Sequence, residues 1–185
     1  MPPKAKVTKN DIVEAALAIA DKDGFSGITA RSVAKKLGCS VAPIYVNFET
    51  MDELMEALMK KIASLSEKLL ANQKGDDYFQ RIGKASLDFA RQHPVIFREM
   101  ALMPVDWKTQ HEIQTVILAG MAQDEVMKNW SQDERKRLLL KMSIFQLGLS
   151  LMVANNSLPS ELSDQDQEDL LMEIGEELFL AQKMK

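Results

Sequence analysis

The stretch from Gly24 to Phe48 constrains this chain more than any other, because it reads as two short helices around a tight turn. Thr29 can cap a helix whose apolar positions Val33, Ala34 and Leu37 share one face, and Gly38 can take the left-handed conformation that ends it. After the turn Gly38-Cys39-Ser40, Ser40 is expected to cap a second helix. Pro43 then falls in its first turn, where a missing N–H is tolerated, and Ile44 and Phe48 point inward one turn apart. Such a helix-turn-helix (HTH) places its second helix in the major groove of DNA.

The flanks extend the pattern. Thr8-Lys9-Asn10-Asp11 is a capping signal for a helix with Ile12, Ala16 and Ile19 on one stripe, ending at Gly24. Thr50-Met51-Asp52-Glu53 reads as a full capping box opening a long helix with Leu54, Leu58, Ile62, Leu65 and Leu69 on one side. With Ile44 and Phe48 inward, Tyr45 and Asn47 are left outward, able to meet phosphate or a base edge. Val41, Ala42 and Pro43, at the start of the same helix, can offer apolar contact to a thymine methyl. Thr29, Arg31 and Ser40 complete the expected DNA-facing set.

Three segments, Gly24-Phe25-Ser26-Gly27-Ile28-Thr29, Ala34-Lys35-Lys36-Leu37-Gly38-Cys39-Ser40 and Ile44-Tyr45-Val46-Asn47-Phe48, resemble the signature of the tetracycline-repressor (TetR) family of bacterial regulators over roughly residues 8–60. The chain departs from it at Met51, where the family usually carries a Lys that donates to a phosphate. The resemblance implies an all-α protein, with an N-terminal three-helix HTH DNA-binding domain plus a C-terminal helical ligand-binding and dimerisation domain. It also implies a homodimeric repressor that binds double-stranded DNA at an inverted-repeat operator and is released by a small-molecule effector. Residues 1–50 would form the DNA-binding domain, with the connecting helix starting near 50, and residues 51–185 the regulatory domain.

Charge agrees once it is resolved along the chain. The net charge is −4, but residues 1–47 carry seven basic and four acidic side chains, a balance of +3. A phosphate backbone senses charges within about 8–10 Å in physiological salt. The acidic segment from Glu161 to Glu177 would be held away from the duplex. The start of the chain lacks the apolar segment of a signal peptide, and no uninterrupted apolar run suits a bilayer, so a cytoplasmic protein without membrane contact is expected. The single Cys39 excludes an intrachain disulfide, and with only His93 and His111 no metal site is expected. No phosphate loop, nucleophile elbow or HExxH motif is present, so neither a cofactor nor an enzymatic activity is expected.

Beyond the HTH, helical spacing recurs without strand signals: Tyr78 to Gln92, Pro94 to Met103, about Thr109 to Asn129, Ser131 to about Asn155, and near Ser163 to the C terminus. The helix after Ser131 is apolar on two sides. Leu138, Met142, Phe145, Leu149 and Met152 lie toward one, and Leu140, Ile144, Leu147 and Leu151 occupy much of the other. One side can face the chain's own core and the other a second subunit, with Leu147, Leu151, Leu171, Ile174 and Leu178 as interface candidates; both helices could equally fill a monomeric core.

Phe97, Met100, Met103 and Trp107 cluster around Pro104, and Met142, Phe145 and Gln146 can face them. Together they would line an apolar pocket for a hydrophobic or amphipathic effector, although ordinary core packing explains the same residues. A regulator of this type with no small-molecule ligand, and an all-helical interaction module, are the alternatives.

Overall fold

The computed structural model describes residues 7–74, 78–104, 107–123, 125 and 127–183, the side chains of 78–79, 107–113 and 183 excepted. Among the described residues there are nine α-helices, a 3-10 turn at Phe25–Gly27 and no strand. The helices are α1 (Lys9–Asp23), α2 (Ala30–Leu37), α3 (Ala42–Asn47), α4 (Met51–Asn72), α5 (Tyr78–Gln92), α6 (Pro94–Leu102), α7 (Trp107–Gln123), α8 (Gln132–Ala154) and α9 (Asp164–Lys183).

Local capping explains most of the helix starts. Thr8 Oγ1 accepts from the Asp11 N–H at 3.2 Å while Asp11 takes the Thr8 N–H at 2.9 Å. Ser131 with Glu134 and Ser163 with Asp166 repeat this exchange at α8 and α9. At α4 the expected box is displaced: Thr50 accepts from the Glu53 N–H, but the Glu53 carboxylate takes the N–H of Glu49.

In the three reciprocal boxes the cap residue's hydroxyl, and then its N–H, hold the carboxyls of Asp11, Glu134 and Asp166 below the ordinary carboxylate range. A folded-state pKa below the unfolded value means stabilisation that is complete above the unfolded pKa of about 4 and lost as pH falls through the depressed value. A triple variant Asp11→Ala/Glu134→Ala/Asp166→Ala should therefore melt below the wild type near neutral pH. The gap in Tm should narrow as the pH falls below the ordinary carboxylate range; a constant gap would place the effect elsewhere.

Packing divides into two apolar clusters. The larger gathers Ile12, Ala16, Val33, Ile44, Leu54, Leu58 and Ile62 and runs on to Phe89 and Ile96, so the first half of α4 and parts of α5 and α6 share a core with the HTH. The smaller is built on Met121, Leu138 and Leu139, with Leu178 and Phe179 against it. By length and composition α8 is apolar enough to cross a membrane, whereas the sequence reading expects no such run. Here it packs among α5, α6, α7 and α9, which accounts for its first apolar face. Its second face stays open.

Candidate nucleic-acid interface and effector cavity

The HTH is held by short-range bonds. Thr29 Oγ1 accepts from the Ser32 N–H at 3.0 Å, and Ser32 Oγ accepts from the Thr29 N–H at 2.8 Å, fixing the start of α2. Gly38 ends that helix at φ 65°, ψ 31°, with its N–H on Lys35 O and the Cys39 N–H on Ala34 O. Ile44 and Phe48 are buried, and Tyr45 and Val46 are left 53% and 78% exposed. Arg31, Lys35 and Lys36 are exposed on α2. Cys39 is half-buried against the core and unpaired.

Three expected DNA-facing residues sit differently. Ser40 does not cap α3: Val41 is already helical (φ −69°, ψ −24°) and takes the cap position without a side-chain bond, which leaves Ser40 exposed. Val41 packs on the HTH core. The Asn47 amide donates to Pro43 O at 2.8 Å and to Val7 O at 3.3 Å. Pro43 lies one turn back on the same helix, so the first of these is a local back-bond from a polar side chain to the carbonyl four residues earlier. Asn47 thus ties α3 to the entrance of α1. Thr29, Ala42 and Tyr45 are exposed and Pro43 is half-buried, on the same short segment. Lys9, one of the basic residues of the N-terminal segment, lies 5.1 Å over the Phe48 ring. Lys4 and Lys6 lie outside the described residues.

A cavity of about 360 Å³ opens between α5, α8 and α9, with Ile117 of α7 at its edge. Of the expected lining residues whose side chains are described, Met142, Phe145 and Gln146 reach it, and Phe97, Met100 and Met103 do not. Phe97 and Met100 pack on the larger core, Phe97 with its ring 6.4 Å from that of Phe89, because α6 lies against α1. Met103 is exposed beyond the end of α6, and the Trp107 side chain lies outside the described residues. The opposite wall comes from α9: Leu171 and Ile174, expected at a subunit interface, line the cavity, and Leu178 packs on Leu138 and Leu139. What lets α9 approach is Gly83, where a Cβ would lie 2.4 Å from Leu171 Cδ2; that glycine is the sequence signal for the close helix pair.

The second apolar side of α8 is open. Leu140, Ile144, Leu147 and Leu151 recur at helical spacing, Leu140 and Ile144 being 59% and 64% exposed, Leu147 exposed and Leu151 half-buried. Met152, assigned to the inward side, is exposed beside them, as is Leu180 of α9.

The two parts are joined through α6, by residues that sequence reasoning did not single out for this. Glu99 Oε2 accepts the Phe25 N–H at 2.7 Å, and His93 Nδ1 lies 2.7 Å from Asp21 Oδ1. On the other side, Arg98 donates to the carbonyl of Ala154 at the end of α8. The adjacent Arg98-Glu99 pair in an otherwise apolar helix is the one trace of this in the sequence.

An all-helical bundle that presents an exposed, basic HTH at one end defines a DNA-binding transcription regulator. Residues 12–58 match the family model of bacterial regulatory proteins, tetR family. An uncharacterized HTH-type transcriptional regulator of Bacillus subtilis, YobS, is 25% identical over 114 residues, covering 60% of each chain. The matched stretches span 38% to 60% of the curated relatives' lengths. A TetR regulator from Streptomyces coelicolor superposes with TM-score 0.65 at 15% identity, covering 95% of this chain and 97% of that one. A TetR variant from Acinetobacter baumannii, in complex with minocycline, does so with TM-score 0.61 at 14% identity, covering 97% and 98%. Residues 12–58 thus form a DNA-binding domain of the tetR type, and the chain as a whole shares the fold of TetR-like regulators.

Proposed function

We propose that this protein is a homodimeric, cytoplasmic repressor that binds an inverted-repeat operator and is released by a small apolar or amphipathic effector. No catalysis, cofactor, metal or membrane enters this reading. Residues 1–50 act as the DNA-binding domain and 51–185 as the regulatory and dimerisation domain, with the first half of α4 packed into the HTH core. The observation that carries the DNA role is the exposed set Arg31, Lys35, Lys36, Ser40, Ala42 and Tyr45 on one rigid HTH. The α8 stripe of Leu140, Ile144, Leu147 and Leu151 supports dimerisation, since an exposed apolar ridge on a soluble bundle is stabilised by a second copy.

The mechanism follows from spacing. Two recognition helices must meet major-groove faces about 34 Å apart, or a multiple of it. The cavity is walled by α8, whose end is bonded to Arg98, and Arg98 neighbours Glu99, which holds the turn after α1. An effector that favours another arrangement of α8 shifts this chain of contacts and thereby the spacing. By linkage the operator weakens effector binding by the same factor, for which couplings of about 1–3 kcal/mol are typical. The minocycline bound to the similarly folded TetR variant of Acinetobacter baumannii supports a ligand-responsive reading over one with a vestigial pocket. Selection of genomic fragments by the purified protein, followed by footprinting, tests the proposal: protection of two symmetric half-sites is expected, and failure to enrich any sequence contradicts it.

A further inference from the structure

The cavity has one polar character that its apolar walls conceal. Its lining includes Leu139, Met142, Phe145, Ile174 and Phe179, and the neutral polar groups are Gln80, Ser143 and Gln146. Among the described lining residues a single side chain is charged, the carboxylate of Glu176, and none is Lys, Arg or His. The wall that carries it is acidic throughout: Glu173, Glu176 and Glu177 follow one another on the exposed side of α9, and Glu161 to Glu177 contains no basic residue. Cations on the facing helix are engaged elsewhere. Lys84 pairs with Glu168 of α9 at 3.2 Å, and Arg91 pairs with Asp88 of its own helix and with Asp164 at the start of α9. Arg81 of α5 and Lys141 of α8 are on cavity-forming helices but do not line the space.

We infer that the cavity selects amphipathic ligands by charge, taking those with an apolar body and a cationic head placed at Glu176 and rejecting carboxylate amphiphiles of the same length. This rests on the ligand-responsive reading proposed above and adds the chemical class. A carboxylate ligand entering the cavity would meet Glu176 with no compensating cation among the described lining residues, whereas an ammonium head gains its attraction while the tail buries against Met142 and Phe145. Because Glu176 is exposed, each effect is moderate; attraction of one head and repulsion of the other together give a preference of about tenfold.

Trp130 provides the reporter, since its ring stacks on that of the cavity residue Phe179 at 5.1 Å and 15°. In a Trp107→Phe background Trp130 is the sole tryptophan. Decyltrimethylammonium, decanol and decanoate, each kept below its micelle concentration, are titrated into the full-length protein by calorimetry and by Trp130 fluorescence. The expected order is the ammonium tightest and decanoate weakest, with a gap of about tenfold. Glu176→Gln should shrink that gap to about threefold or less while leaving decanol unchanged. Decanoate binding as tightly as the ammonium, or an unchanged gap in Glu176→Gln, overturns the charge selection and leaves the ligand site standing. Binding of none of the three probes overturns the cavity as a ligand site, and with it the effector part of the proposed function.

Discussion

Ile144→Asp combined with Leu147→Asp should turn a dimer at micromolar concentration into a folded monomer that has lost operator binding. Both side chains are exposed on one protomer, so the substitution removes little from the monomer's own core. Burying an aliphatic side chain contributes about 1.5–3 kcal/mol. Removing two such side chains from each of two copies weakens association by several orders of magnitude even before the buried charges are counted. A single half-site then supplies only part of the interaction energy with DNA. Sedimentation measures the first effect, and circular dichroism of the same sample confirms that the helices persist. A wild type that sediments as a monomer, or a variant that still dimerises, would remove this interface.

The second large effect is expected at Gly24→Ala. Gly24 has φ 76° and ψ 177°, a region that side chains other than hydrogen rarely enter, and strain there costs about 1–3 kcal/mol. A Cβ would also lie 2.1 Å from Glu99 Oε1. The carboxylate is the flexible end of a side chain and can swing away, but doing so breaks its bond to the Phe25 N–H. A hydrogen bond to a charged group is worth about 1.5–3 kcal/mol, so the total loss is about 3–5 kcal/mol, a large part of the stability of a small protein. Urea unfolding measures it. The Glu99→Ala variant should lose only the hydrogen-bond share, and adding Gly24→Ala to it should cost only the backbone share. Full additivity of the two substitutions would mean that they do not meet.

These two sites differ in how far they can be read from the chain. The helix starts at Thr8, Thr29, Ser131 and Ser163 rest on bonds between residues three apart, so sequence alone locates them. The α8 ridge is legible because an apolar residue repeats on a second side of one helix. The partner of an apolar stripe is not legible. Leu171 and Ile174 show the same periodicity whether they face another subunit or, as here, Gly83 and Met142 of their own chain. Phe97 and Met100 likewise fit a pocket by composition, yet the docking of α6 on α1 turns them into the HTH core. Asn47 departs from expectation for the opposite reason. Its outward position suits DNA by polarity alone, while a carbonyl four residues back already claims its amide. The Arg98–Glu99 clamp joins residues 56 and 74 positions apart, beyond any local pattern.

The most direct test of the central claim, that the α2–α3 face of the HTH reads DNA, is a fluorescence-anisotropy titration of a footprinted genomic site at increasing salt. Wild-type affinity should fall steeply with salt, because phosphate binding releases counterions. An Arg31→Ala/Tyr45→Ala variant with unchanged helix content should bind more weakly, by about 1–3 kcal/mol for each DNA-facing side chain removed, and its salt dependence should be shallower. Binding that ignores salt, or a variant that binds the site as tightly as the wild type, would contradict the account.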